Sequence, residues 1–160
     1  MDATALTHAP LPIQLHVACA VLALVIGTAM LFWRKGTPLH KALGRIWIGL
    51  MLGVSLSSFL ISEIRLLGPY SPIHILSLFT LFGLWGGWQA IRAGDVKTHR
   101  TTMISVYGGG LIGAGLFTFL PGRIMHQVVF ADGGATALLA ALGIAAILVA
   151  LYYQRRRAAL

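Results

Sequence analysis

The chain has 160 residues, of which 58% are hydrophobic and only 10% charged, and its mean hydropathy is +0.84. Soluble domains carry roughly 45–50% apolar and about 25% charged residues, so a soluble globular fold and a disordered chain are both excluded. Twelve basic against four acidic residues give a net charge of +8, but the charges sit between long apolar runs, which argues against nucleic acid as a partner. The single cysteine, Cys19, excludes an internal disulfide framework, a cysteine zinc site and haem attachment through C-x-x-C-H.

A membrane-crossing helix needs about 20 mostly apolar residues. Five segments meet that length, at Pro12–Trp33, Leu39–Ile64, Ile73–Ile91, Thr102–Leu120 and Ala135–Tyr153. No segment alternates apolar and polar residues. The predicted fold class is therefore all-α, a single integral membrane domain built as a bundle of five transmembrane helices. The residues before the first run include no basic stretch, and no small-residue cleavage site follows it, so the first run is expected to be a retained helix rather than a signal peptide.

The basic residues set an orientation. Arg34, Lys35, Lys41, Arg45, Arg92, Lys97, Arg100, Arg155, Arg156 and Arg157 fall on one side of the predicted spans, and Arg65 and Arg123 on the other. By the positive-inside rule the N-terminus is expected outside and the C-terminus in the cytoplasm, with the chain in the inner (plasma) membrane and in contact with lipid.

A repeat runs through the first four spans. His16 precedes Arg34 by the same interval as His74 precedes Arg92; Gly36 and Gly94 follow at matching positions; then come His40-Lys41 and, one residue later, His99-Arg100. The residues read as two copies of one helix pair, within 12–64 and 73–120, with the fifth span at 135–153 outside the repeat. Both copies start outside, so they would be related by an axis along the membrane normal. Such an axis sets His16 opposite His74 and His40 opposite His99, one pair near each membrane surface.

Ionisable groups at membrane depth are expensive and point to function. Two imidazoles facing across a bundle can hold haem iron from both sides, since the porphyrin supplies the four equatorial nitrogens. Zinc prefers three or four close protein ligands, whereas each pair here supplies two. Lys41, Arg45 and Arg100 lie within about a turn of the inner histidines, where they could meet haem propionates or simply anchor the cytoplasmic face. Glycines such as Gly27, Gly44, Gly83, Gly87 and Gly110 could open a slot for a flat cofactor or let helices pack closely.

Histidines on four consecutive helices, pairing first with third and second with fourth, resemble the di-haem core of the cytochrome b561 class. The longer pattern, His16…Arg-Lys-Gly…His40-Lys-Ala-Leu-Gly-Arg…His74…His99-Arg…Pro121-Gly-Arg123…His126, resembles a family of small uncharacterised bacterial multipass membrane proteins known as a domain of unknown function. The first resemblance implies one or two haems b held by His16 with His74 and by His40 with His99, and electron transfer linked to quinone. The second brings no activity with it.

On the outer side, Glu63 and Arg65 close the second span, Pro121-Gly122-Arg123 closes the fourth, and His126 follows on a predicted short interfacial helix, Ile124–Phe130. Glu63, Arg123 and His126 could bind a quinone head group and move protons, or could be solvated surface charges. The leading expectation is a membrane b-type cytochrome, a candidate oxidoreductase passing electrons between a quinone pool and a small redox partner. Two alternatives stay open: a copper, zinc or small-molecule site in the same bundle, and a cofactor-free accessory subunit. Homo-oligomerisation stays open too.

Overall fold

The computed structural model describes residues 4–61, 72–119 and 124–130, and every regular element among them is helical. They are α1 (Thr4–Thr7), α2 (Leu11–Phe32), α3 (Pro38–Ser58), α4 (Pro72–Arg92), α5 (Val96–Ser105), a π-helical segment (Val106–Gly113), α6 (Ala114–Thr118) and α7 (Ile124–Phe130). Glu63, Arg65, Arg123 and the predicted fifth span lie outside the described residues. Among the described residues one helix, α2, is long and apolar enough by length and composition to cross a membrane. α3 and α4, at 21 residues each, are about 31 Å long, which matches the hydrocarbon thickness of about 30 Å.

The chain divides into two compact units. In the larger, residues 9–117, α2 packs on α3, α3 on α4, α4 on α5 and the π segment, and the π segment returns to α2. The ring makes α2 and α4 diagonal partners, and α3 and the α5–π rod the other two. In the smaller unit α1 packs against α7. The ring of His126 there lies 4.8 Å from that of Phe130, which meets Phe119 edge-on at 6.3 Å. The observed α7 has the bounds expected of the interfacial helix.

The four rods turn one residue stripe inward. On α3 it runs His40, Gly44, Trp47, Met51, Val54–Ser55 and Ser58; on α4 it runs His74, Ser77, Thr80, Leu84 and Gly87. These spacings of three and four residues follow the 3.6-residue turn. The core is small: Ala23, Trp47, Met51, Leu84, Val106 and Leu111 form one cluster drawn from all four rods. Around it the burial pattern is inverted. Ser58 is 2% exposed and Thr80 3%, while Phe79, Phe82 and Trp85 are 71%, 73% and 65% exposed. Water does not permit hydroxyls inside and aromatics outside on this scale; a hydrocarbon solvent does.

Glycine closes the helices on one another. A Cβ at Gly27 would stand 2.7 Å from the indole Nε1 of Trp47 and 2.7 Å from the ring of Tyr107, one at Gly83 would meet Val106, and one at Gly110 would meet Thr80. The Trp47 Nε1–H donates to the Ala23 carbonyl at 3.0 Å. At these positions close packing, not an open slot, is the use made of glycine.

Both tight connections use glycine in the left-handed region, Gly36 at φ 79° and Gly94 at φ 82°, where a side chain would be strained. These are the two glycines matched in the sequence repeat. Each is followed by a helix cap: Thr37 accepts from the His40 N–H at 3.1 Å, and Asp95 accepts from the Thr98 N–H at 2.9 Å. His40 therefore stands three residues past its cap and His99 four, so the one-residue slip between the copies arises inside the first turn.

Two predicted boundaries need correction. The fourth span, expected from Thr102, begins as a helix at Val96, because the Asp95 cap carries the polar turn Lys97–Thr101 into the helix. The second, expected to reach Ile64, ends as a helix at Ser58. There the hydroxyls of Ser57 and Ser58 donate to carbonyls of their own helix, Gly53 at 2.6 Å and Ser55 at 2.7 Å, a back-bonding that weakens helix continuation.

The cap at Asp95 makes a pH prediction. The Thr98 hydroxyl and then its backbone N–H, both donating to the carboxylate, hold the Asp95 pKa below its usual value. Its contribution to α5 is present above the ordinary carboxylate range and is lost as pH falls through that lowered value. In thermal melts of detergent-solubilised protein across that range, Asp95→Asn is expected to keep the cap and flatten this part of the acid dependence. Thr37, a neutral cap, has no such dependence.

Candidate functional site

The last turn of α3, with its cap residue Phe59, organises the end of the bundle that carries His16 and His74. Three consecutive residues each engage a different neighbour: Ser57 meets the Nδ1 of His16 on α2 at 3.0 Å, Ser58 meets the Ser77 hydroxyl on α4 at 2.5 Å, and Phe59 stacks on the His74 ring at 5.5 Å with planes 22° apart. His74 is buried and His16 half-buried. The two histidines expected to pair are thus set on diagonal helices, both against the end of α3.

The contacts of Ser57 point to a proton on the Nδ1 of His16. The Ser57 hydroxyl has one hydrogen, and it lies 2.6 Å from the Gly53 carbonyl and 3.0 Å from that of Val54. A carbonyl can only accept, so the hydroxyl donates there and accepts from His16 Nδ1–H. In the neutral imidazole this leaves the lone pair on Nε2. Ligating histidines are held in this way, with the far nitrogen donating to a protein acceptor.

At the opposite end His99 repeats the arrangement. Its Nδ1 lies 2.9 Å from the Gly87 carbonyl, an acceptor only, so Nδ1 carries a hydrogen and donates it there. His40, on the inward stripe of α3, lies close enough to His99 for their charges to repel. Its buried Nδ1 has no hydrogen-bond partner among the described residues. His40 and Ser57 are 17 residues apart on α3, so the two histidine sites are separated by about 26 Å, with the Trp47–Met51–Leu84 core between them.

The remaining sequence candidates divide by place. Lys41, Arg45 and Arg100 are exposed, within about a turn of His40 or His99. His126 belongs to the smaller unit, and Glu63 and Arg123 lie outside the described residues. Among the described residues no group of three or more His, Cys, Asp or Glu could hold a metal ion. Sequence reasoning did not single out Ser57 or Phe59, and it named Gly87 only as a glycine for a cofactor slot or close packing. The signal available for the first two was their adjacency at the end of a helix whose inward stripe already held His40.

The family described as "Predicted membrane protein (DUF2306)" matches residues 13–154. No curated protein and no solved structure matches the chain.

Proposed function

We propose that this chain, which belongs to the DUF2306 family of predicted membrane proteins, is a membrane b-type cytochrome holding haem b between His16 and His74. The observation that carries the proposal is the 3.0 Å contact of His16 Nδ1 with the Ser57 hydroxyl, which holds the ring by one nitrogen and leaves Nε2 for a metal. The donor chemistry fits: two neutral imidazoles on diagonal helices, with no third protein ligand required. When bound, the haem would supply one-electron chemistry. The protein's own part is to orient both imidazoles, to exclude water with Phe59, and to hold the His16 Nδ1 proton on Ser57.

The same reading assigns Glu63, Arg123 and His126 to a quinone head group at the outer surface, and places the N-terminus outside and the C-terminus in the cytoplasm. A second haem would fall to His40 and His99, with Lys41, Arg45 and Arg100 beside its propionates. The space at that end is already occupied, as a methyl of Met103 stands where a Cβ on Gly87 would be. The test is a visible spectrum of protein made with haem available, oxidised and then reduced with dithionite. A Soret band with low-spin features is expected, and its absence from pure folded protein would sink the cytochrome reading. Turnover with an added quinol should fall in Glu63→Gln and Arg123→Ala.

A further inference from the structure

The side of α3 turned away from the bundle carries a pattern of its own. Lys41, Arg45, Gly49, Leu52 and Leu56 recur at intervals of three and four residues and are all exposed, so they share one face. That face lies opposite the stripe of Trp47, Met51 and Ser58, which are buried. The two bases are neighbours one turn apart. Side chains lean toward the N-terminus of their helix, so Arg45 reaches back toward Lys41, at the end of α3 that carries His40. Beyond them Gly49 leaves a notch, where an added Cβ would meet nothing within 4 Å. Leu52 and Leu56 continue the line, 38% and 58% exposed.

We propose that this face binds one anionic phospholipid, its phosphate held by Lys41 and Arg45 and an acyl chain laid over Gly49 along Leu52 and Leu56. Charge decides the headgroup. Asp95 is the only carboxylate among the described residues, and it is committed to capping α5 through Thr98, so none among them is left for this pair. Arg45 stands seven residues beyond Pro38, about 10 Å along the helix, a depth at which a cation facing lipid calls for an anionic partner. A zwitterionic headgroup brings its own cation beside the phosphate, and an anionic one does not. The repeat supplies a comparison. Arg100, Ile104 and Gly108 occupy the matching places on the fourth rod and are exposed too, but isoleucine stands where α3 has Arg45, so that rod offers a single base. The α3 face is turned away from the His40 stripe, and its lipid does not depend on haem.

The test is native mass spectrometry of protein made without added haem, purified in mild detergent and equilibrated with equimolar phosphatidylglycerol and phosphatidylcholine. One phosphatidylglycerol per chain is expected to survive release from detergent, preferred by at least about tenfold. The Lys41→Gln, Arg45→Gln double variant should lose that preference, and Arg45→Lys, which keeps the charge, should retain most of it. The Arg92→Gln, Lys97→Gln double variant removes the same charge from the α4–α5 connection and should keep the preference. Gly49→Leu should fill the notch and lower retention, with an unchanged thermal melt showing that the fold is kept. Equal loss in the two double variants would reduce the effect to diffuse surface charge and overturn the proposal. Equal retention of both lipids by the wild type would overturn it as well, as would full retention in Gly49→Leu. Because no haem is present, failure here leaves the cytochrome reading standing, and absence of a Soret band leaves this one standing.

Discussion

His16→Ala and His74→Ala are each expected to remove one and the same Soret band, while His40→Ala and His99→Ala leave it in place. The two residues sit on diagonal helices against one turn of α3, so on the proposed function either substitution would remove one of the two imidazoles that would hold the haem. Ser57→Ala tests how the ligand is held. It removes the acceptor for His16 Nδ1–H, so the ring loses its fixed tautomer and its basicity falls. Haem retention should weaken by about 10–100-fold and the reduction potential should shift, with Ser57→Thr restoring both. A purely structural role for Ser57 would lower thermal stability without moving the potential.

The second large effect is expected from a single methyl group. Gly27→Ala places a Cβ 2.7 Å from both Trp47 and Tyr107, where three rods meet. Trp47 cannot withdraw without giving up its bond to Ala23. Tyr107 is held by its hydroxyl 2.7 Å from Thr28. Overpacking of this kind costs about 1–3 kcal/mol. The control is Gly49→Ala on α3, where an added methyl meets nothing within 4 Å and the helix gains up to about 1 kcal/mol in propensity. Unfolding of both variants in mixed detergent should move in opposite directions. Equal shifts would mean that the close approach of α2, α3 and the π segment does not limit stability.

The apolar runs made the rods legible, and for α2 and α4 the expected bounds differ from the observed ones by one residue at each end. The fourth rod starts earlier than the expected Thr102 because Lys97 and Arg100 fall outside an apolar window, although Asp95 three residues before Thr98 is a capping signal. The histidines were legible as candidates, and their inward placement follows from the 3.6-residue period. Their partners were not. Spacing along one helix gives a face, but it does not say that Ser57 meets His16 or that the Gly87 carbonyl meets His99; those contacts depend on the sliding register between helices.

The π segment has a consequence for the length of the chain. Val106 and Leu111 are both buried although they are five residues apart, a separation that an α-helix would turn through about 140°; the wide i→i+5 turn stacks them instead. On α3 the corresponding core residues, Trp47 and Met51, are four apart. The fourth rod thus carries one residue more than its packing uses, taken up in the run Gly108–Gly110. Removing one of these glycines would turn the wide turn into plain α-helix and leave both apolar anchors facing inward. Removing Gly49 from α3 would instead swing one half of that helix through about 100° and carry Met51, Ser55 and Ser58 out of the core. Deletion of a residue therefore has a tolerant address among the described residues, and it lies in the middle of a helix rather than in a loop.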